Sequence, residues 1–82
     1  MNSVEIKQEI ESIIAHDSYP SWTIGLTDNP TFTKALHRNP ECWHHWRADT
    51  AMEAKSVHNY FLSREMKTDN SSGKIPNYVY IY

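Results

Sequence analysis

The sequence has a single cysteine, no long apolar run and almost no excess of charge, and each scarcity excludes a class of protein. Cys42 has no second cysteine to pair with, so a disulfide within the chain is excluded. No apolar stretch resembles a signal peptide or approaches the ~20 residues that are needed to cross a bilayer. We therefore expect a cytoplasmic protein in a reducing compartment, with no membrane among its partners.

The charge of the chain restricts its partners less sharply. Eight Lys and Arg residues against ten Asp and Glu residues give a net charge of −2 at pH 7. This balance argues against strong non-specific binding to DNA, which depends on clustered basic side chains, and it is too small for a protein that mimics DNA. A local basic patch is still compatible with it, and the sequence offers one at His37 and Arg38, extended by His45 and Arg47.

The length and composition are those of one small folded domain, which we assign to residues 1–82. Hydrophobic residues make up 39% of the chain and aromatic residues 12%, which is enough for a core built largely on tryptophan and tyrosine. Charged residues make up 22%, close to the roughly 25% of ordinary soluble domains, so disorder of the whole chain is not expected.

Three segments have the periodicity and the capping residues of helices. Asn2 with Glu5, and Thr50 with Glu53, have the spacing of capping boxes. The asparagine-proline pair at 29–30 supplies an N-cap followed by a proline at the first helical position. Apolar residues at helical spacing follow the first and the third of these signals. The predicted helices cover about 3–15, about 30–37, and the segment from Thr50 to about residue 66.

Three further segments are rich in residues that favour strands, namely 22–26, 42–48 and 78–82. The polar segment 67–77 contains Gly73 and Pro76 and predicts a flexible loop. We therefore expect a small α/β domain with a three-stranded sheet, helices packed on it and the element order α-β-α-β-α-β.

The last predicted strand has a regular alternation of residue types. If Val79 and Ile81 face the core, then Tyr78, Tyr80 and Tyr82 form an aromatic stripe on the other face. We expect the first helix to cover this stripe. If the strand lies at the edge of the sheet, it also offers a route to a homodimer through strand pairing.

The stretch WTIGLTDNP, residues 22–30, is the most informative part of the sequence. It has the pattern of a strand, a tight turn and a capped helix, and it resembles the second half of the GIY-YIG nuclease motif. The matching positions are Ile24, Gly25, Thr27, Asn29 and Pro30, with His37 at the place of a histidine often seen in that family. Residues 43–62 fit the next strand and helix of the family, so the resemblance covers about half of the chain.

The first half of the family motif should precede this stretch, yet the preceding segment is a predicted helix. The strand at 78–82 could take that place in the sheet, which would make the domain a GIY-YIG-like fold with a permuted first strand. Small bacterial proteins of this type end in a glycine-rich loop and a tyrosine-rich strand. Asn70-Ser71-Ser72-Gly73 and the residues from 78 onward resemble that ending.

Three positions depart from the family pattern, and they are the reactive ones. Thr23 stands in place of a tyrosine, Thr33 in place of an arginine and His58 in place of a metal-binding glutamate. Cleavage of a phosphodiester with one metal needs a hard oxygen ligand, a cation for the developing charge and a base for the attacking water. Threonine cannot replace a bidentate arginine, and histidine is a poor ligand for Mg²⁺. The resemblance therefore implies a nuclease scaffold that has lost its catalytic groups.

The function that we predict is that of a non-catalytic GIY-YIG-like binding module, which acts on a protein or a nucleic acid through the surface of the former cleft. By analogy, such a small domain fits an accessory or inhibitor protein of a phage or mobile element. The predicted binding residues are Trp22, Thr23, Gly25, Thr33, Lys34, His37, His58 and Tyr80.

Two other functions stay open. One is a divergent metal-dependent nuclease, in which Tyr80 or Tyr82 acts as the base and His58 holds Mn²⁺ or Zn²⁺. The cation would then be Lys34 or Arg38, and the further metal ligand Glu53 or a substrate phosphate. The other function is a self-associating structural module without a ligand.

The histidines and tryptophans each have a common structural role and a rarer functional one. Cys42, His44 and His45 have the pattern C-x-H-H, which is not a recognised zinc spacing, and adjacent histidines on a strand point to opposite faces. We expect no cofactor. The alternative is a divalent transition metal, for which His37 and His58 are further candidate ligands. Trp22, Trp43 and Trp46 could stack on unpaired bases, although such residues on short strands are more often part of the core.

Overall fold

The sheet of this domain joins strands from the middle and from the end of the chain. A computed structural model describes residues 1–15, 17–69 and 75–82. Within this part the α-helices and strands are α1 (Ser3–Ile14), β1 (Thr23–Thr27), α2 (Pro30–Leu36), β2 (His44–Arg47), α3 (Ala51–Leu62), β3 (Lys67–Thr68) and β4 (Tyr78–Ile81). A short 3-10 helix (Tyr19–Ser21) lies between α1 and β1. Among the described residues, no helix has the length and apolar character that crossing a bilayer requires.

The predicted α/β class is confirmed, but the predicted count of three strands is wrong. In the described part of the chain the sheet has four strands in the order β2-β4-β1-β3. The fourth is β3, which pairs parallel to β1 in a segment where the polar sequence predicted a loop. Lys67 donates its backbone N–H to the carbonyl of Trp22 at 3.1 Å, and Asp69 donates to Ile24 at 2.9 Å. The rest of the predicted loop, including Asn70-Ser71-Ser72-Gly73, lies outside the described residues.

Strand β4 lies in the interior of the sheet and pairs antiparallel with β1 on one side and with β2 on the other. Both of its backbone edges are therefore occupied by strands of the same chain. The predicted homodimer requires β4 to lie at an edge of the sheet. Because β4 is an interior strand, the prediction of dimerisation through it is wrong.

The main core lies between one face of the sheet and the helices α1 and α3. Val79 and Ile81 point into it from β4, as the alternation predicted. The other core residues are Ile6, Ile10, Ile14, Ile24, Leu26, Ala48, Ala54, Val57, Phe61 and Met66. Because the isoleucines of α1 pack on this face, α1 cannot cover the tyrosine stripe on the opposite face, and that prediction is wrong.

The two predicted capping boxes have different outcomes. At α1 the box is complete, since Asn2 accepts from the N–H of Glu5 at 2.9 Å and Glu5 accepts from the N–H of Asn2 at 3.1 Å. At α3 the side chain of Thr50 accepts from the N–H of Glu53 at 3.1 Å. The Glu53 carboxylate instead accepts from the N–H of Ser3 at 3.4 Å, so it links the first turns of α1 and α3.

Helix α2 ends in a Schellman motif that contains no glycine. The N–H of Arg38 bonds to the carbonyl of Ala35 at 3.0 Å, and the N–H of Asn39 bonds to that of Lys34 at 2.9 Å. Arg38 and Asn39 have φ angles of 63° and 51°, in the left-handed region that favours glycine. This turn stops the helix at Leu36, one residue before the predicted end.

The same motif ends α3. Glu65, with φ of 72°, donates its N–H to Leu62, and Met66 donates to Phe61. Helix α3 therefore ends at Leu62, four residues before the predicted end, and the chain turns back so that the buried side chain of Met66 joins the core.

We predict that Arg38→Gly stabilises the domain by about 0.5–1 kcal/mol, because glycine adopts the left-handed backbone of this position without steric cost. The free energy of unfolding in urea measures the effect. Arg38→Ala is the control, since it removes the arginine side chain and keeps the backbone strain. An Arg38→Gly variant less stable than Arg38→Ala would contradict the explanation.

Candidate functional site

The face of the sheet opposite the main core carries the aromatic and charged side chains, and we call it the tyrosine face. Gly25 pairs with Tyr80 in β4, and Tyr80 in turn pairs with His45 in β2, so these positions share one face. The backbone bond of Asp69 to Ile24 extends the β3 register and brings Asp69 beside Gly25. By the same alternation, the other positions on this face are Thr23, Thr27, Trp43, Arg47, Lys67, Tyr78 and Tyr82.

Tyr80 lies directly over Gly25 and is 1% exposed. A Cβ atom at Gly25 would be 2.4 Å from both the Cζ and the hydroxyl of Tyr80, so only glycine leaves room for this ring. The indole of Trp43 stacks on the ring of Tyr80 with centroids 4.7 Å apart and an interplanar angle of 12°. The centroids of Trp43 and Tyr82 are 5.8 Å apart, with an interplanar angle of 18°.

Three polar side chains meet at Asp69, and we call the four residues Asp69, Tyr80, Tyr82 and His37 the Asp69 cluster. The Oδ2 atom of Asp69 accepts from the hydroxyl of Tyr80 at 2.7 Å and lies 2.7 Å from Nε2 of His37. Tyr82 donates a longer bond to the same oxygen, 3.4 Å, and its hydroxyl is 3.3 Å from Nδ1 of His37. The carboxylate and the imidazole are each about a quarter exposed, at 26% and 28%, so the cluster reaches the surface.

The phenols of this cluster are held in their protonated form. Burial, the hydrogen bond to Asp69 and the charge of Asp69 raise the pKa of Tyr80 far above its ordinary value. Burial and the same carboxylate also raise the pKa of Tyr82. Both hydroxyls therefore act as hydrogen-bond donors near neutral pH, which is the opposite of what a catalytic base requires.

The indole of Trp43 is fixed by a second polar contact. Its Nε1 donates to Nδ1 of His45 at 2.8 Å. The pKa of His45 is lowered mainly by burial and to a smaller extent by the positive charge of Lys34. A neutral His45 keeps Nδ1 available as an acceptor for the indole. The proximity of Lys34 to His45 also places its positive charge on the tyrosine face.

Helix α2 is anchored on this face by two threonines. The hydroxyls of Thr27 and Thr33 are 2.7 Å apart, and both residues are buried. Thr27 also accepts from the backbone N–H of Asn29 at 3.0 Å, where α2 begins. Thr33, the residue at the arginine position of the GIY-YIG pattern, therefore packs α2 against the sheet.

The structure brings some of the predicted binding residues together and separates others. Those on or over the tyrosine face are Thr23, Gly25, Thr33, Lys34, His37 and Tyr80. Trp22 and His58 lie on the opposite side of the sheet. Trp22 packs against the main core and donates to Asp17 at 3.3 Å, and His58 bonds to the hydroxyl of Thr68 at 3.0 Å.

The residue set of the divergent nuclease is divided in the same way. His58 and Glu53 lie on α3, on the side of the main core, whereas Tyr80 and Tyr82 lie on the tyrosine face. Within the described ranges, no three His, Cys, Asp or Glu side chains form a group that could hold a metal ion.

Asp69 was missed by the sequence analysis, and Trp43 was named there as one of three tryptophans that could stack on bases but not among the predicted binding residues. Asp69 follows a strand of two polar residues, so no pattern near it in the sequence marks it, and its position depends on pairing with the distant β1. For Trp43 a signal was available, since alternation along the segment 43–47 places it on the same face as His45.

Comparison of the chain with models of known protein families, with curated proteins and with solved structures gave no match. The GIY-YIG resemblance therefore stays a prediction.

We predict that Gly25→Ala lowers the free energy of unfolding by about 1–3 kcal/mol, because the added methyl overlaps the ring of Tyr80. A double-mutant cycle with Tyr80→Leu, measured by urea unfolding, checks the cause. The methyl should cost much less once the ring is absent. An equal cost in both backgrounds would show that Tyr80 is not the obstacle.

We predict that the domain loses stability as the pH rises above about 10. The unfolded phenol of Tyr80 titrates near 10.0 and the folded one at higher pH, so the folded state binds more protons above pH 10. The stabilisation is fully present below that pH and declines above it. Urea unfolding between about pH 8 and pH 11 measures the decline, and Tyr80→Phe should make it shallower. An unchanged slope in that variant would contradict the assignment to Tyr80.

Proposed function

We propose that this domain is a non-catalytic module that binds single-stranded nucleic acid on the tyrosine face. The observation that supports this proposal most directly is the combination of partly buried, parallel aromatic rings with basic side chains on one face of the sheet. Domains that hold single strands without reading their sequence use the same two elements, aromatic rings for the bases and cations for the backbone.

The aromatic part of the site is rigid before a ligand arrives. Trp43 rests on Tyr80 and is bonded to His45, and the rings of His37 and Tyr82 lie with centroids 4.7 Å apart. Rings held in this way lose little side-chain entropy when a base stacks on them. Trp43, Tyr82 and His37 are partly exposed, so each is within reach of a base.

The net charge of −2 does not weigh against this proposal, because the charges are unevenly distributed. Lys34, Arg47 and Lys67 belong to the tyrosine face, whereas α1, on the other side of the sheet, carries three glutamates and one lysine. Among the positions assigned to the tyrosine face, Asp69 is the acidic one. Its Oδ2 atom is already in contact with His37 and two phenols. A phosphate on this face would therefore meet basic side chains around an occupied carboxylate.

Three observations favour binding over cleavage. The tyrosines of the face are held protonated, Thr33 is buried in a packing contact, and His58 lies on the opposite side of the sheet. The pairing of β4 beside β1, with Tyr80 opposite Gly25, supports a permuted GIY-YIG-like origin for the face. We include that origin in the proposal.

We predict that labelled oligothymidine or oligouridine binds this domain and that Lys34→Gln/Lys67→Gln weakens the binding. In a plot of the logarithm of affinity against the logarithm of salt concentration, the magnitude of the slope should decrease by about 0.7 for each lost phosphate contact. Fluorescence anisotropy measures both quantities. Lys7→Gln/Lys55→Gln is the matched control, since it removes the same charge from α1 and α3. Trp43→Ala should cost about 1–3 kcal/mol of binding free energy at any salt concentration.

Three results would contradict the proposal. Equal losses in the two double variants would mean that only net charge matters and that the tyrosine face is not the site. Cleavage of the oligonucleotide with Mg²⁺ or Mn²⁺, lost in Tyr82→Phe, would mean that the face is catalytic. If neither single strands nor duplexes bind, a protein becomes the expected partner.

A further inference from the structure

A groove lies on the side of the sheet opposite the tyrosine face, beside α3. It has a volume of about 480 Å³, within the range of about 300–1,000 Å³ that is usual for small-molecule sites. The lining residues that matter here are Leu26, Ala51, Met52, Lys55, His58 and Pro76. None of them belongs to the proposed nucleic-acid site on the tyrosine face.

Most of the groove wall is apolar. Leu26 is nearly buried and forms part of the wall from β1, and Pro76 lines it from the segment before β4. Met52 lines the groove and is 82% exposed. A large apolar side chain with this much exposure gains free energy when an apolar ligand covers it.

The polar part of the groove carries a single charge. Among the described residues that line it, Lys55 is the one charged side chain, and no carboxylate accompanies it. The imidazole of His58 bonds to the hydroxyl of Thr68, and burial lowers its pKa, so it contributes a neutral ring near pH 7. A ligand in this groove would therefore meet apolar walls, one ammonium group and the uncharged polar side chains of His58 and Asn59.

We propose that this groove binds a small molecule with an apolar body and one anionic head, which contacts the ammonium of Lys55. The body would lie against Leu26, Met52 and Pro76. The size of the groove favours a small molecule over a protein, because a stable protein interface covers about 800 Å² on each partner and this groove is formed by a few residues. The inference does not depend on the proposed function of the tyrosine face.

Decanoate, kept below the concentration at which it forms micelles, is a suitable probe, and decanol is its uncharged counterpart. We expect saturable binding of decanoate, read from amide chemical shifts in NMR spectra, with the changes centred on Ala51, Lys55 and His58. Lys55→Glu should weaken the binding at least about tenfold, because it replaces attraction by repulsion. Ala51→Phe, at the first position of α3, should block the binding by filling the groove.

Lys67→Glu is the matched control, because it makes the same charge change on the tyrosine face. It should leave decanoate binding unchanged, and Lys55→Glu should leave oligonucleotide binding nearly unchanged, so the two proposals succeed or fail separately. Three results would overturn the inference: no saturable binding of decanoate, binding that survives both Lys55→Glu and Ala51→Phe, or equal affinity for decanol. A dimer that Ala51→Phe disrupts would also overturn it, since a second copy of the chain would then occupy the groove.

Discussion

The hydrogen bond from Tyr80 to Asp69 passes over Gly25, so it links β4 to the end of β3 across the intervening strand β1. Because Gly25 has no side chain, the phenol of Tyr80 can lie across β1 and reach Asp69. The carboxylate of Asp69 is in turn positioned by the pairing of β3 with β1. Asp69 in turn holds His37, and His37 brings the end of α2 onto the same face. The arrangement of the aromatic rings therefore depends on this contact between an interior strand and the edge strand, and the end of α2 is held by it together with the Thr27–Thr33 bond.

The two faces of the sheet have different physical roles. The face under α1 and α3 is the apolar core of the domain, in which aliphatic side chains of helices and strands are buried together. On the tyrosine face a short helix and the segment that follows it cover only part of the sheet, and aromatic rings with polar edges replace aliphatic ones. Such rings tolerate partial exposure because their hydroxyl, imidazole and indole groups have hydrogen-bond partners. This difference leaves part of the tyrosine face exposed, while the other face forms the apolar core.

Sequence reasoning identified the elements whose signals are local and missed those that depend on distant partners. The isoleucine spacing and capping box of α1, the asparagine-proline start of α2 and the alternation in β4 are each read within a few residues, and the structure has all three. Strand β3 is two polar residues long and exists because the edge of β1 is available to it, so no local pattern marks it or Asp69. The position of Trp22 was within reach of the sequence, since alternation from Gly25 assigns it to the opposite face. The end of α3 could not be predicted, because Glu65 adopts a left-handed backbone conformation that a glutamate side chain does not indicate.

The contacts that build the tyrosine face also bear on what it can do. A tyrosine that serves as a base must give up its proton near neutral pH, and burial together with a neighbouring carboxylate makes this harder for Tyr80 and Tyr82. Replacing Asp69 by a cation would favour the phenolate but would remove the acceptor that holds Tyr80 over Gly25. The same hydrogen bond thus stabilises the sheet and opposes base catalysis. For this reason we favour a binding role for the face, in which the aromatic rings contribute their flat surfaces and the phenols keep their protons.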